Sequence, residues 1–278
     1  LIYAERIEGC GGLPAATAGR LLCLLSGGFD SAVAAYKMMR RGVHLSFIHF
    51  YGVASRPGES SVPVATEIVE RLTPYQYSSK LILIPFETIQ REIVANAPEE
   101  FRILLYRRMM MRIAQEAARG ERALGLVTGD SVGQVASQTL QNLAAVDSVA
   151  RCTIYRPLSG DDKLDILETA RRIGTYQISC EPFEDCCPRF MPRSPALHAT
   201  AEELDRGERA LDVPGLVRGG LSGAEGVALK FELGQVTKKS FLPRGRVRGE
   251  PEPDREKGTS ETGPREERSA VPSPAKAV

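Results

Sequence analysis

Short apolar runs alternate along this chain with stretches whose apolar residues recur every three or four positions. Residues 21–25 are five apolar residues in succession, a length that suits a strand buried on both faces. Residues 43–50, 81–86, 123–128 and 152–155 read as four further strands. Between them the period changes. Val64, Ile68 and Leu72 stand four apart, the stripe of one helical face. Residues 31–41 predict a helix stopped by Gly42, and residues 99–119 a long helix with Pro98 at its start. Asp161 is placed to cap a helix whose Leu164, Leu167, Ala170 and Ile173 form one stripe closed by Gly174. Residues 134–143 are also expected to be helical. Strands alternating with helices predict an α/β fold, a parallel five-stranded sheet flanked by helices.

The pattern weakens towards the C-terminus. Residues 196–241 are expected to form an extension with one helix, near residues 198–209, and then Gly-rich loops. Residues 242–278 hold six prolines and no aromatic side chain. Such a segment cannot bury enough apolar surface to offset its ordering entropy, so a disordered tail is expected. At the other end the chain begins with Leu, and Gly9-Cys10-Gly11-Gly12-Leu13-Pro14 precedes the first strand. Residues 1–19 therefore read as a linker from a preceding region, and residues 20–195 as the main domain.

Composition narrows the class. Lys and Arg total 36 against 35 Asp and Glu, so bulk charge does not announce a nucleic-acid partner, though local patches can. No apolar run approaches the roughly 20 residues of a membrane span, and the first residues lack the apolar core of a signal peptide. Six cysteines are too sparse for a disulfide framework and read as free thiols of a cytoplasmic protein.

One loop carries chemistry. Ser26-Gly27-Gly28-Phe29-Asp30-Ser31 lies between the first strand and the first helix. Glycines let the backbone approach a ligand, and a helix start offers free N–H groups and a positive dipole end. Ser26 and Ser31 add hydroxyl donors. The Gly-Lys-Ser/Thr ending of a Walker A loop is absent, as is G-x-G-x-x-G. The plain alternative is an ordinary turn of small residues.

This pattern resembles the PP-loop, S-G-G-x-D-S, of ATP pyrophosphatases, which cleave ATP between the α and β phosphates to form an adenylate. Two further stretches narrow the resemblance: residues 128–139, with Gly133-Gln134-Val135-Ala136-Ser137-Gln138-Thr139, and Phe183-Glu184-Asp185-Cys186-Cys187. With Arg156-Pro157-Leu158 and Asp162-Lys163, the chain is similar to tRNA 4-thiouridine synthetases, also called tRNA uridine 4-sulfurtransferases, from about residue 3 to about residue 195. The resemblance implies ATP and Mg2+ at the loop, adenylation of O4 of uridine 8 in tRNA, and delivery of sulfur from a cysteine persulfide charged by a cysteine desulfurase. It also implies, in some bacteria, sulfur supply for the thiazole of thiamine. Members usually carry an N-terminal THUMP region that grips tRNA. A sulfur-carrier protein and a homodimer are further associations it allows.

Carried over residue by residue, Ser26, Gly27, Gly28 and Ser31 would hold phosphates and Asp30 would orient magnesium. His49 and Phe50 would lie near the adenosine, with His49 open to the other reading of a hydrogen-bonded core residue. Gly129 and Gln138 would line the same site. Cys187 would carry the sulfur. Cys180 or Cys186 would resolve the persulfide, Cys180 being the better spaced, and an iron–sulfur cluster is a further option for these three thiols. The helix over residues 99–119 carries Arg108 and Arg112 on one face. A solvated face is the default there, but with tRNA as substrate both become candidates for phosphate contact, as does Arg189. Two other readings remain at this point: a PP-loop enzyme with another acceptor, and a truncated nucleotide-binding remnant without turnover.

Overall fold

The five apolar runs form five strands, each buried because helices cover both faces of the sheet. The computed structural model describes residues 4–5, 9, 11–52, 60–182, 192 and 194–243. The strands are β1 (Arg20–Leu24), β2 (His44–Tyr51), β3 (Ser78–Pro85), β4 (Gly125–Val127) and β5 (Thr153–Tyr155). They run parallel in the order β5-β4-β1-β2-β3. Between them lie α1 (Phe29–Met39), α2 (Ser61–Leu72), α3 (Glu87–Asn96), α4 (Arg102–Gly120) and α5 (Leu140–Asp147). After β5 come α6 (Lys163–Arg172) and α7 (Tyr176–Cys180).

Strand alternation divides the core in two. Leu21, Cys23, Leu45 and Phe47 face one layer, with Val33, Ile68, Val69 and Ile166. Leu22, Ile48, Ile82 and Ile84 face the other, with Leu105, Met109 and Ile113. Successive side chains point to opposite faces, so a strand covered on both sides reads as an unbroken apolar run. Burial in the first layer pushes the Cys23 thiol up to about 12, which keeps it protonated and inert.

The sheet is larger than its parallel part. Residues 196–241 were expected to be mostly loop. They form α8 (Ala201–Gly207), α9 (Val213–Ser222) and a hairpin of β6 (Glu225–Glu232) and β7 (Gln235–Phe241). β6 pairs antiparallel with β3 and β7 with β6, giving seven strands in the order β5-β4-β1-β2-β3-β6-β7. The turn is Leu233-Gly234, both at positive φ (51° and 81°), the backbone of a two-residue hairpin loop. An Asn-Gly pair announces such a turn; a Leu at the first position conceals it. Residues 244–278, the greater part of the expected tail, lie outside the described residues.

Two local expectations are corrected. Residues 134–139 are not helical. They hold a 3-10 turn at Ala136–Gln138, and α5 begins only at Leu140, where the Thr139 hydroxyl accepts from the Asn142 amide. Ser and Thr side chains compete for backbone groups and favour such caps. The residue before α6 is Asp162 rather than Asp161, and it makes no side-chain cap; Asp161 pairs with Lys37 of α1.

The arginines of α4 are also turned differently from expectation. Arg108 is 2% exposed and pairs with Asp205 of α8, while its Nε lies 3.5 Å from Glu208 Oε1. Arg112 donates both terminal nitrogens to Glu208, each at 2.8 Å. These guanidinium groups clamp α8 onto α4 instead of facing solvent, so they are not placed to meet RNA phosphates. Losing Glu208 strands two cations at once. Glu208→Ala is expected to cost about 3–5 kcal/mol of unfolding free energy, the usual effect of breaking a buried ion pair from one side. Arg108→Met leaves Glu208 bonded to Arg112 and should cost less; urea unfolding of both variants checks the order.

Candidate functional site

The strand order reverses at β1, whose neighbours are β4 and β2, and a cleft of about 300 Å3 opens beyond the C-terminal ends of these strands. Open α/β sheets bind ligands at such a switch point. The loop after β1 forms one wall. Gly27 sits at φ 95°, which only glycine adopts without strain, and Gly28 is extended ahead of α1. No side chain caps α1, so part of its N-terminal N–H set remains available to an anion. The two serine hydroxyls lie 3.2 Å apart, and the Gly28 amide donates to Ser26 Oγ at 3.2 Å.

The opposite wall is the loop after β4. Gly129 approaches the first loop so closely that a Cβ there would stand 2.6 Å from the Ser31 nitrogen. Asp130 follows, 7% exposed. Arg107 donates to its Oδ1 at 2.7 Å, Arg156 to its Oδ2 at 3.2 Å, and the Thr128 hydroxyl to Oδ2 at 2.8 Å. Gln138 donates to Oδ1 at 3.2 Å. Arg156 also holds Asp147 of α5 at 2.6 and 2.8 Å, and Arg107 reaches the Ser137 carbonyl at 3.2 Å. Burial would push the Asp130 carboxyl up; Arg107, the Thr128 hydroxyl and Arg156 outweigh it and hold the group below its ordinary value. Asp130 therefore stays ionised as the centre of a fixed network.

Asp30, in the first turn of α1, meets two groups from elsewhere. Lys163 of α6 donates to its Oδ1 at 2.7 Å and Gln134 to its Oδ2 at 3.1 Å. Lys163 also lies 5.8 Å from the Phe29 ring centre. A polar wall of loops thus faces an apolar wall of Leu24, Phe50, Ile103, Met110 and Met111. Magnesium ordinarily takes one or two carboxylates together with substrate phosphates. Asp30 fits that role, and among the described residues no three acidic, His or Cys side chains gather as a metal centre.

Of the residues expected from sequence, Ser26, Asp30, Ser31, Phe50, Gly129 and Gln138 line this cleft. His49 does not. It precedes Phe50 on one strand and so points to the other face, where its Nδ1 donates to the Leu25 carbonyl at 2.7 Å and its Nε2 lies 2.8 Å from Ser61 Oγ. It is the hydrogen-bonded core residue of the second reading. Cys186, Cys187 and Arg189 lie outside the described residues, and Cys180 is exposed at the end of α7. Arg107 and Lys163 were not singled out. Arg107 had a signal: Ile103, Arg107, Met110 and Met111 form one helical stripe, and a lone cation in an apolar stripe calls for a buried partner.

Because the Asp130 carboxyl is held below its ordinary value, it adds stability that is present above about pH 4 and lost as pH falls through the lowered value. Asp130→Asn should lower stability at neutral pH by about 3 kcal/mol or more and flatten the acid limb of the profile. Urea midpoints measured from neutral pH to below pH 4 test this.

Comparison with known proteins places this geometry. A probable tRNA sulfurtransferase of Thermus thermophilus is 48% identical over 202 residues, which are 73% of this chain and 50% of that protein. Another, from Moorella thermoacetica, is 44% identical over 216 residues, 78% of this chain and 55% of that one. The chain thus spans about half the length of the curated relatives it matches. The crystal structure of a 4-thiouridine synthetase–RNA complex with bound ATP superposes with a TM-score of 0.75 at 35% identity, covering 81% of this chain and 58% of that one. The ThiI family model, described as thiamine biosynthesis protein, matches residues 16–213, which include both walls of the cleft. On that match the chain belongs to the ThiI family.

Proposed function

We propose that this chain is the catalytic part of an ATP-dependent tRNA sulfurtransferase, converting uridine 8 of tRNA to 4-thiouridine. The observation that carries the reading is the cleft: a glycine loop and an uncapped helix start facing Lys163, beside an apolar wall, in a chain 35% identical to a synthetase solved with ATP and RNA. The triphosphate would lie over residues 26–31, and the adenine against Phe50 and the methionines of α4. The uridine O4 attacks the α-phosphorus and pyrophosphate leaves. A carbonyl oxygen is a poor leaving group, and the adenylate supplies a good one. Negative charge developing on the phosphates is met by the α1 amides and by Lys163, which are fixed in place before reaction. Bound magnesium would offset charge on the departing pyrophosphate, with Asp30 as its protein ligand.

Sulfur then comes from a persulfide on Cys187. Its terminal sulfur attacks C4, AMP leaves, and a second thiol breaks the S–S bond, releasing thiouridine and leaving a protein disulfide. Cys180 is the exposed thiol suited to that step, with Cys186 the alternative. A cysteine desulfurase would charge Cys187. The family description supports a parallel role in supplying sulfur for thiamine, through a sulfur-carrier protein. A cytoplasmic location suits both partners, and no helix among the described residues is long and apolar enough to cross a membrane. Homodimer formation would bring a second copy of the cleft to one tRNA.

The test is pyrophosphate release from ATP and magnesium with unmodified tRNA. Release that requires tRNA is expected. Asp30→Ala should slow it about 100-fold, the usual loss for one preorganised electrostatic group. Cys187→Ala should keep the release and abolish thiolation, read by the near-ultraviolet absorbance of 4-thiouridine. Gly129→Ala should weaken ATP binding in calorimetry, since its Cβ would displace the Ser31 amide. A chain that takes up no ATP would overturn the proposal.

A further inference from the structure

The sheet carries a second polar concavity, at the end opposite the nucleotide cleft. Strand register builds it. Arg20 of β1 pairs with His44 of β2, whose Nε2 lies 3.3 Å from Ser78 Oγ of β3. Ser78 pairs with Lys230 of β6, and Lys230 with Thr237 of β7. These five residues form one row across five neighbouring strands. A second row runs beside it, two residues further along: Ser46, then Lys80 paired with Ala228, then Ala228 with Lys239. Residues two apart on a strand share a face, so both rows look the same way, into a cavity of about 550 Å3. Neighbouring strands lie about 4.8 Å apart, so a row over five strands is roughly 19 Å long.

The charges in this corner do not cancel. Glu121, buried, accepts from Lys80 at 2.8 Å, and Glu232 pairs with Lys230. Arg20 and Lys239 are exposed and enter no ion pair among the described residues. Lys238, the residue next to Lys239 but on the other face, is paired with Glu70 at 2.6 Å. The positive excess therefore sits on one face of the hairpin, in a chain whose net charge is only +1. Hydroxyls of Ser78 and Thr237 stand between the cations as further donors.

We propose that this corner is a phosphate track for the backbone of the RNA substrate, remote from the reacting uridine. The proposal rests on the RNA reading above. A row of about 19 Å is too long for one phosphate or a pyrophosphate and suits several consecutive phosphates of a chain. Lysine, arginine and hydroxyl donors without a base-reading pocket hold a backbone irrespective of sequence.

The test is the salt dependence of tRNA binding by the full chain, followed by fluorescence anisotropy. Replacing Arg20 and Lys239 together by Gln should lower the slope of log K against log salt by about one per residue and weaken binding about tenfold or more at low salt. ATP binding and the unfolding midpoint should not move. Lys238→Gln, on the other face, should leave the slope unchanged. If wild type binds tRNA and the double variant keeps its slope, the track is wrong while the sulfurtransferase reading stands. If wild type binds no tRNA, the reading beneath it fails as well. The His44 ring resonances give a third arm: saturable shifts with inorganic pyrophosphate, with no change in the RNA slope, would reassign the corner to a free phosphate ligand and overturn the proposal.

Discussion

The nucleotide cleft depends on one close approach. The loop after β4 can lie against the start of α1 only because residue 129 has no side chain; a Cβ would stand 2.6 Å from the Ser31 amide nitrogen. That contact follows from β1 and β4 being sheet neighbours. With the two loops pressed together, the first offers amides and hydroxyls and the second offers a fixed array of side chains. Wider spacing would leave an open groove that water could fill.

The second loop keeps its shape through charge. Asp130 gathers Arg107 from α4 and Arg156 from beyond β5, and Arg156 reaches on to Asp147 of α5. Three elements are tied to one carboxylate. Such a network is costly to desolvate, and its value is positional: each donor is already used, so the loop has little freedom to rearrange when a ligand enters. The arginines of α4 divide their labour accordingly. Arg107 serves the cleft, while Arg108 and Arg112 serve the packing of α8.

The parallel sheet was legible because strands covered on both faces are continuous apolar runs, as at residues 21–25 and 81–86. The glycine loop was legible because its spacing has few uses besides anion binding. His49 could have been placed correctly by alternation alone, since Phe50 and its neighbour cannot both face one cleft. What sequence could not disclose was pairing at a distance. Nothing local says that Glu208 will meet Arg108 and Arg112, or that Lys163 will meet Asp30 across 133 positions. The hairpin was hidden for another reason: its strands are amphipathic and partly exposed, and its turn begins with leucine.

That hairpin also decides how the sheet ends. Without it, β3 would be a border strand presenting the backbone of Leu81-Ile82-Leu83-Ile84 to any other extended chain, a ready template for aggregation. β6 occupies that edge, and the new border is β7, whose Thr237-Lys238-Lys239-Ser240 is polar and charged. Lysines on a border strand discourage a further strand from joining. The smallest well-behaved fragment of this protein is therefore longer than the segment shared with its family, and has to run through Phe241.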